Sequence, residues 1–312
     1  MTVPLVLLLL GAAAAAMAPR LLTRAAWPER EPVLALWVWQ CVVGAVLLCL
    51  FLAMSLSASA AWTSLREGLF VFAPHTVVEA YELAGYGPWA PYLAVLLAGG
   101  GVWTAAMLAR EVRAARTRRR ARHAELRART PRLPGETPAP DGRLVVLESE
   151  RPDAWWLTGP RPRLVITTAA LRRLKGRRLD SVLAHEQGHA RARHDVLLHC
   201  ADALASGFPQ VPVFAGFRDQ VHRLVELAAD DIASRRSGRL TTALALVELN
   251  EDRGVFGPVP APDAQLPVRV NRLLEPAPRL TRLGRAHATA CALLIPFVPL
   301  AVAFGPGIGA LT

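Results

Sequence analysis

The 312-residue sequence predicts a mainly α-helical membrane protein, with about four transmembrane helices and an α+β domain built round a small sheet. Three observations carry that reading. Uncharged apolar runs occupy residues 2–19, 33–54, 83–109 and 288–312, each about long enough to cross a bilayer. Hydrophobic residues make up 53% of the chain, a share that suits a membrane part better than two soluble domains. Between the third and fourth runs, short β-type segments give way to amphipathic helices.

The first run carries Ala16-Met17-Ala18, which looks like a leader cleavage site. No basic region precedes it and Pro19 would follow the cut, so the helix is expected to be retained. Residues 33–54, rich in Leu, Val and Trp, form the second span, and 83–109 contain a third with Trp89 and Tyr92 near one interface. The fourth is expected to be kinked or short, because Pro296, Pro299 and Pro306 interrupt it. Cys41, Cys49, Cys200 and Cys291 are too few and too scattered for a disulfide framework.

Arginine placement predicts orientation. The first connection holds Arg20, Arg24 and Arg30, whereas the second sets Arg66 against Glu67, Glu79 and Glu82. A basic burst from Arg110 to Arg132 follows the third run. The positive-inside rule therefore puts the first connection and everything after Arg110 in the cytoplasm, at the cell's inner membrane. The net charge of +11 is thus local. Directly after a membrane span, such a burst reads as a flank that binds anionic lipid, and direct nucleic-acid binding is not expected.

Residues 130–142 contain Pro131, Pro134, Pro138 and Pro140 and read as a linker. The expected organisation is a three-helix membrane region (1–110), a basic stalk and linker (111–142), a catalytic domain (143–284) and a fourth membrane helix (285–312). Within the domain, strands are expected at 144–147, 153–157 and 164–167, with a turn at Thr158-Gly159-Pro160. Helices follow at 168–174, 178–194, 220–236 and 240–250, then a Pro-rich loop at 257–267 and a short amphipathic segment at 268–274. Residues 196–217 are apolar but broken by Asp202, Pro209 and Pro212. They read as a helical hairpin that packs on the domain or dips into the membrane face.

The chemistry sits in Ala184-His185-Glu186-Gln187-Gly188-His189. On a helix, positions i and i+4 share a face, so His185 and His189 can grip one metal ion while Glu186 faces its open position as general base. A catalytic zinc needs a third protein ligand. Glu226 and Asp230 are four apart on the helix at 220–236, beside the small Ala228 and Ala229. That spacing suits Glu226 as the ligand and Asp230 as the acceptor that steadies a ligand histidine. His222, one turn before Glu226, is a candidate contact for substrate or a developing oxyanion. Asp195 is a candidate supporting acceptor; His194 is expected to lie off the ligand face, and His199 and Cys200 to be structural.

The stretch Leu179-Asp180-Ser181-Val182-Leu183-Ala184-His185-Glu186-Gln187-Gly188-His189, then Arg193-His194-Asp195 and Glu226-Leu227-Ala228-Ala229-Asp230, resembles the BlaR/MecR-type integral-membrane zinc metallopeptidases and the related heat-shock and CAAX-processing membrane proteases. The resemblance implies a gluzincin-like domain with one Zn(2+) on His185, His189 and Glu226, and Glu186 as acid/base. It also implies a cytoplasmic protein or peptide substrate, of which a BlaI/MecI-like transcriptional repressor is the family's example, with the substrate extended along residues 163–167 as an edge strand. The beta-lactam sensors carry a penicillin-binding domain after their last helix, whereas this chain stops at Thr312, so antibiotic sensing by this polypeptide alone is not expected. Membrane-protein quality control is the enzymatic alternative, and a non-catalytic partner-binding scaffold the other.

Overall fold

The computed structural model describes residues 2–81, 88–129, 144–157, 163–250 and 265–311. Two prolines set the early helices. α1 (Thr2–Arg24) gives way to the short α2 (Trp27–Arg30) and then α3 (Pro32–Ala61), with Pro28 and Pro32 at the starts of the last two. A proline is tolerated there because its missing N–H has no intrahelical partner to lose. Inside α1, Pro19 is accommodated, and its carbonyl accepts the Thr23 hydroxyl at 2.7 Å. Two helices not anticipated in the second connection follow, α4 (Thr63–Leu69) and α5 (His75–Ala80). α6 (Ala90–Arg129) continues without a break from the apolar run into the basic stalk, as the sequence implied.

The expected strands are present as β1 (Leu144–Leu147), β2 (Ala154–Leu157) and β3 (Arg163–Thr167), in sheet order β1-β3-β2. β1 runs parallel to β3 and β2 antiparallel to it. Residues 163–167 are therefore central, with both edges already paired, and the expectation of strand addition there fails. The Thr158-Gly159-Pro160 turn and the linker at 130–142 lie outside the described residues.

α7 (Thr168–Arg173) is capped by Thr167, whose hydroxyl accepts the Ala170 N–H, and α8 (Arg177–Arg191) carries the His-Glu-x-x-His motif. α9 (His194–Gly207) and α10 (Pro212–Ser237) come next. The third domain helix thus starts eight residues before its expected position, and the anticipated hairpin at 196–217 is the body of α9, a short turn and the first residues of α10. Gly238, at φ 90°, ends α10 in the left-handed conformation that only glycine adopts without strain. α11 (Arg239–Asn250), α12 (Gln265–Leu274), α13 (Arg282–Leu294) and α14 (Phe297–Gly309) complete the chain.

The chain divides into two compact units. The first comprises Met1–Arg110, Ala201–Gln220 and Leu280–Thr312. Among the described residues, three helical stretches, Thr2–Arg24, Pro32–Ala61 and Ala90–Arg118, are long and apolar enough to cross a membrane. The pair α13–α14, bent by 47°, makes a fourth if taken as one span. Close helix approach in this unit rests on small residues, as is usual in lipid. A Cβ on Gly11 of α1 would come within 3.1 Å of Cys49 Cβ on α3. The loop end of α9 is tied to α6 by Trp103, whose indole N–H donates to the Gly207 carbonyl at 2.7 Å.

The second unit comprises Glu111–Cys200 and Val221–Arg279. One face of its sheet supplies Ala154 and Ile166 to a core completed by Ala170, Leu174, Val182 and Ala245. Val182 comes from α8 and Ala245 from α11, and the buried hydroxyls of Ser181 and Thr242 join the same two helices at 2.8 Å. This packing holds the motif helix against the sheet and against α11.

Candidate metal centre and catalytic cleft

α8 presents His185 and His189 on one face, and α10 brings Glu226 up to it. The approach depends on Gly188, between the two histidines: a Cβ there would meet Ile232 Cδ1 at 3.1 Å and Ala229 Cα at 3.5 Å. Ala228 and Ala229 are themselves buried. The sequence Gln187-Gly188-His189 on one helix and Ala228-Ala229 on the other thus leaves room for the polar side chains to meet.

Nε2 of His185 lies 3.1 Å from Nε2 of His189. Oε2 of Glu226 is 3.5 Å from the first, and Oε1 is 3.4 Å from the second. A tetrahedral zinc with bonds of about 2.0–2.2 Å separates its ligands by about 3.3–3.6 Å. Both histidine–Glu226 separations fall in that range, each to a different carboxylate oxygen, and the histidine pair is slightly closer, at 3.1 Å. Imidazole and carboxylate donors together suit zinc. Among the described residues these three form the group able to hold a metal ion.

Asp230, fully buried, places Oδ1 3.0 Å from His185 Nδ1. The approach is short but off the line that a ring N–H needs for a hydrogen bond. Arg269, from α12, holds both acidic residues. Its Nε and Nη2 reach the two Asp230 oxygens at 2.7 Å each, and its Nη1 reaches Glu226 Oε2 at 2.9 Å. Burial opposes the charge on each carboxylate, yet the guanidinium and His185 hold both well below the ordinary carboxylate range. Burial likewise opposes a charge on His185, but Asp230 and Glu226 prevail and raise its pKa. For His189 burial prevails: it is lowered to about 4, against the opposing pull of Glu226 and with His185 adding to the drop.

Glu186 is half-buried on the same helix and faces β2. Burial pushes its carboxyl up to about 7, with His185 and the Trp156 backbone N–H pulling it back and the charges of Glu226 and Asp153 adding to the rise. The β2–β3 register explains the Trp156 contact. The Thr167 N–H donates to the Asp153 carbonyl, so Asp153, Trp155 and Leu157 face β3. Ala154 and Trp156 turn their N–H groups to the outer edge, where Asp153 Oδ1 accepts the first at 2.9 Å and the Glu186 carboxyl stands near the second. A cleft of about 180 Å³ opens beside these groups, walled by Asp153, Ala154, Val182, Glu186, Leu246 and Arg269 among others.

The structure brings together four predicted residues, His185, His189, Glu226 and Asp230, with Glu186 beside them. His222 stands exposed, one turn before Glu226, and is not among the cleft's lining residues. Asp195 opens α9, where its carbonyl accepts from the His199 ring. His194 departs from expectation in one respect. It keeps off the metal-facing side, as expected, but it is not remote from the cluster: its Nδ1 is 3.0 Å from Nδ1 of His189, where a helix continuing to residue 194 would not have put it. The physical reason is that α8 stops at Arg191 and Arg193 takes a left-handed φ of 51°, which turns the chain back.

Arg269 was missed altogether. A signal was present in the sequence, because Leu266, Val270 and Leu273 form the apolar stripe of α12 and Arg269 sits on that stripe. A charge in that position must be paired.

A motif helix bearing two histidines and a glutamate, with a second helix supplying a carboxylate, defines a metallopeptidase centre. The model of peptidase family M48 matches residues 120–289, more than half of the chain, and the chain belongs to that family. It is similar to the plastoglobule-localized metallopeptidase 48 of the Arabidopsis thaliana chloroplast, at 40% identity over 78 residues. That segment covers 24% of this chain and 22% of the relative, so the chain spans about a fifth of the relative's length. No solved structure matches the chain. The family fits the membrane zinc metallopeptidases that the paired motifs resemble.

Proposed function

We propose that the protein is a zinc-dependent endopeptidase of the inner membrane, with one Zn(2+) held by His185, His189 and Glu226 and with Glu186 as general acid/base. The observation that carries this reading is the tetrahedral spacing of three donors beside a half-buried carboxylate. Zinc bound there would polarise the scissile carbonyl and acidify the attacking water. Glu186 takes that water's proton and returns it to the leaving amine. Its raised pKa suits a group that must both accept and release a proton near neutral pH. Arg269 keeps Glu226 and Asp230 ionised, and Asp230 steadies the His185 ring.

The substrate docks as an extended strand on the outer edge of β2, where Ala154 and Trp156 present backbone groups beside Glu186. His222, a turn from Glu226, is the proposed contact for a substrate segment running past the metal. The arginines of the first connection and of the stalk support a cytoplasmic catalytic unit and contact with anionic lipid. The substrate is then a cytoplasmic or membrane-proximal protein. A BlaI/MecI-like repressor is the example taken from the motif resemblance, and a damaged membrane protein is the alternative.

Comparative proteomics of cells holding the wild-type and Glu186→Gln proteins tests this. The variant should retain zinc, lose about 10²–10⁴-fold in rate and let one full-length substrate accumulate. Cleavage at the wild-type rate would sink the mechanism. A reporter inserted after Gly142 should read as cytoplasmic, and an external signal would overturn the proposed substrate class.

A further inference from the structure

His194 touches the metal centre without belonging to it. Its ring nitrogen lies on the far side of His189 from Glu226: Nε2 of His189 faces Glu226 and His185, whereas Nδ1 faces His194 at 3.0 Å. The two rings stand nearly perpendicular, at 82°, with centroids 4.9 Å apart. Away from the metal-facing nitrogens, a contact of that length between two rings is accounted for by one proton shared between a donor and a lone pair.

Proton accounting assigns the roles. If Nε2 of His189 binds metal through its lone pair, the ring's N–H is on Nδ1. Nδ1 of His194 must then be the acceptor, and His194 carries its own proton on Nε2. Burial favours the neutral ring this requires, since His194 is only 4% exposed. The backbone supplies an independent sign. Arg193 holds a left-handed φ of 51°, a conformation that a long side chain adopts only when its surroundings over-determine it. That one residue ends the motif helix and sets His194 beside His189.

We propose that His194 is a positioning residue, whose Nδ1 accepts the Nδ1–H of His189 and so fixes the tautomer and ring orientation of that ligand. The proposal rests on the zinc reading above. It makes the two ligand histidines unlike: His185 has the Asp230 carboxylate 3.0 Å from its Nδ1, and His189 has a neutral imidazole at the same distance from its own. Outer partners of this kind are worth about 10–100-fold in metal affinity.

The test uses the full chain in detergent micelles, with zinc affinity measured by competition against a chromophoric chelator and the visible spectrum recorded with Co(2+) in the site. Three variants separate the roles. His194→Asn places an acceptor oxygen where Nδ1 was, His194→Gln keeps a polar side chain but moves its acceptor, and His194→Phe keeps bulk alone. Affinity should fall about 10–100-fold in His194→Gln and His194→Phe, with shifted cobalt bands, while His194→Asn stays near wild type. If His194→Phe does not fold, the Asn and Gln pair decides. Equal affinity and an unchanged cobalt spectrum in His194→Gln would overturn the assignment while leaving the zinc site intact. A wild-type chain that binds neither metal would overturn the underlying reading as well.

Discussion

Nε and Nη2 of Arg269 each lie 2.7 Å from an oxygen of Asp230, so guanidinium and carboxylate meet in a two-bond fork. Neither partner is near the other in sequence. The fork joins α12 to α10 directly behind the proposed metal ligands, and Arg272 repeats the link one turn on, 2.9 Å from Asp231.

Breaking the fork from one side should be costly. Arg269→Ala leaves Asp230 buried and Glu226 half-buried without their shared cation, and removing one member of a buried pair typically costs about 3–5 kcal/mol. Arg269→Lys should recover little, because an ammonium cannot make both bonds at once. The double variant Arg269→Leu with Asp230→Asn should be less destabilised than the sum of the singles. Denaturant unfolding of wild type, Arg269→Leu, Asp230→Asn and the double variant measures this, and strict additivity would remove the pair from the stability argument.

Glu226→Ala should weaken zinc binding by more than the roughly 10–100-fold expected for loss of a mere outer partner. Metal content after dialysis against a weak chelator reads this directly. Zinc retained at wild-type level would take Glu226 out of the ligand set.

With metal removed by a strong chelator, Glu186 gives a pH signature. Its folded pKa of about 7 lies above the ordinary 4.5, chiefly through burial. The folded state therefore binds this proton more tightly than the unfolded chain does. The resulting stability is present at low pH, and it declines from about pH 4.5 to about pH 7 as the group ionises. Glu186→Gln abolishes the titration, so wild type should lose stability relative to the variant across that window. Thermal melts of both chelated proteins at pH 5 and pH 8 provide the comparison, and a difference that stays constant would contradict the raised pKa.

Gly188→Val forces carbon into a space where even one Cβ would lie 3.1 Å from Ile232 Cδ1. Overpacking of this sort costs about 1–3 kcal/mol and should push α10, with Glu226, away from the histidines. Ile232→Ala in the same chain should restore part of both stability and metal affinity. A Gly188→Val protein with unchanged melting and zinc binding would show that the helices have room to spare.

Much of this arrangement was legible from local pattern. The long apolar runs marked the membrane helices, the short apolar runs at 144–147 and 164–167 marked two strands, and the i,i+4 spacings of His185/His189 and Glu226/Asp230 picked out the side chains that converge at the proposed zinc site. What escaped depended on contacts that spacing does not carry. Strand order could not be read, because nothing local says that β3 is paired on both sides. The contact of His194 with His189 escaped because a helical count assumed α8 continued, whereas a left-handed Arg193 interrupts it. Arg269 was legible in principle, as the one cation on an apolar stripe, but its partners lie on another helix.

The short β2 strand has a further consequence. Exposed strand edges attract any extended chain, and this one stands at the mouth of a proteolytic cleft. The outward N–H of Ala154 is already engaged by the Asp153 side chain, and Glu186 stands beside that of Trp156. If the proposed docking holds, an arriving peptide must displace the Asp153 carboxylate before it can lie down against Glu186, the proposed acid/base. A loosely fitting chain would then fail at the threshold.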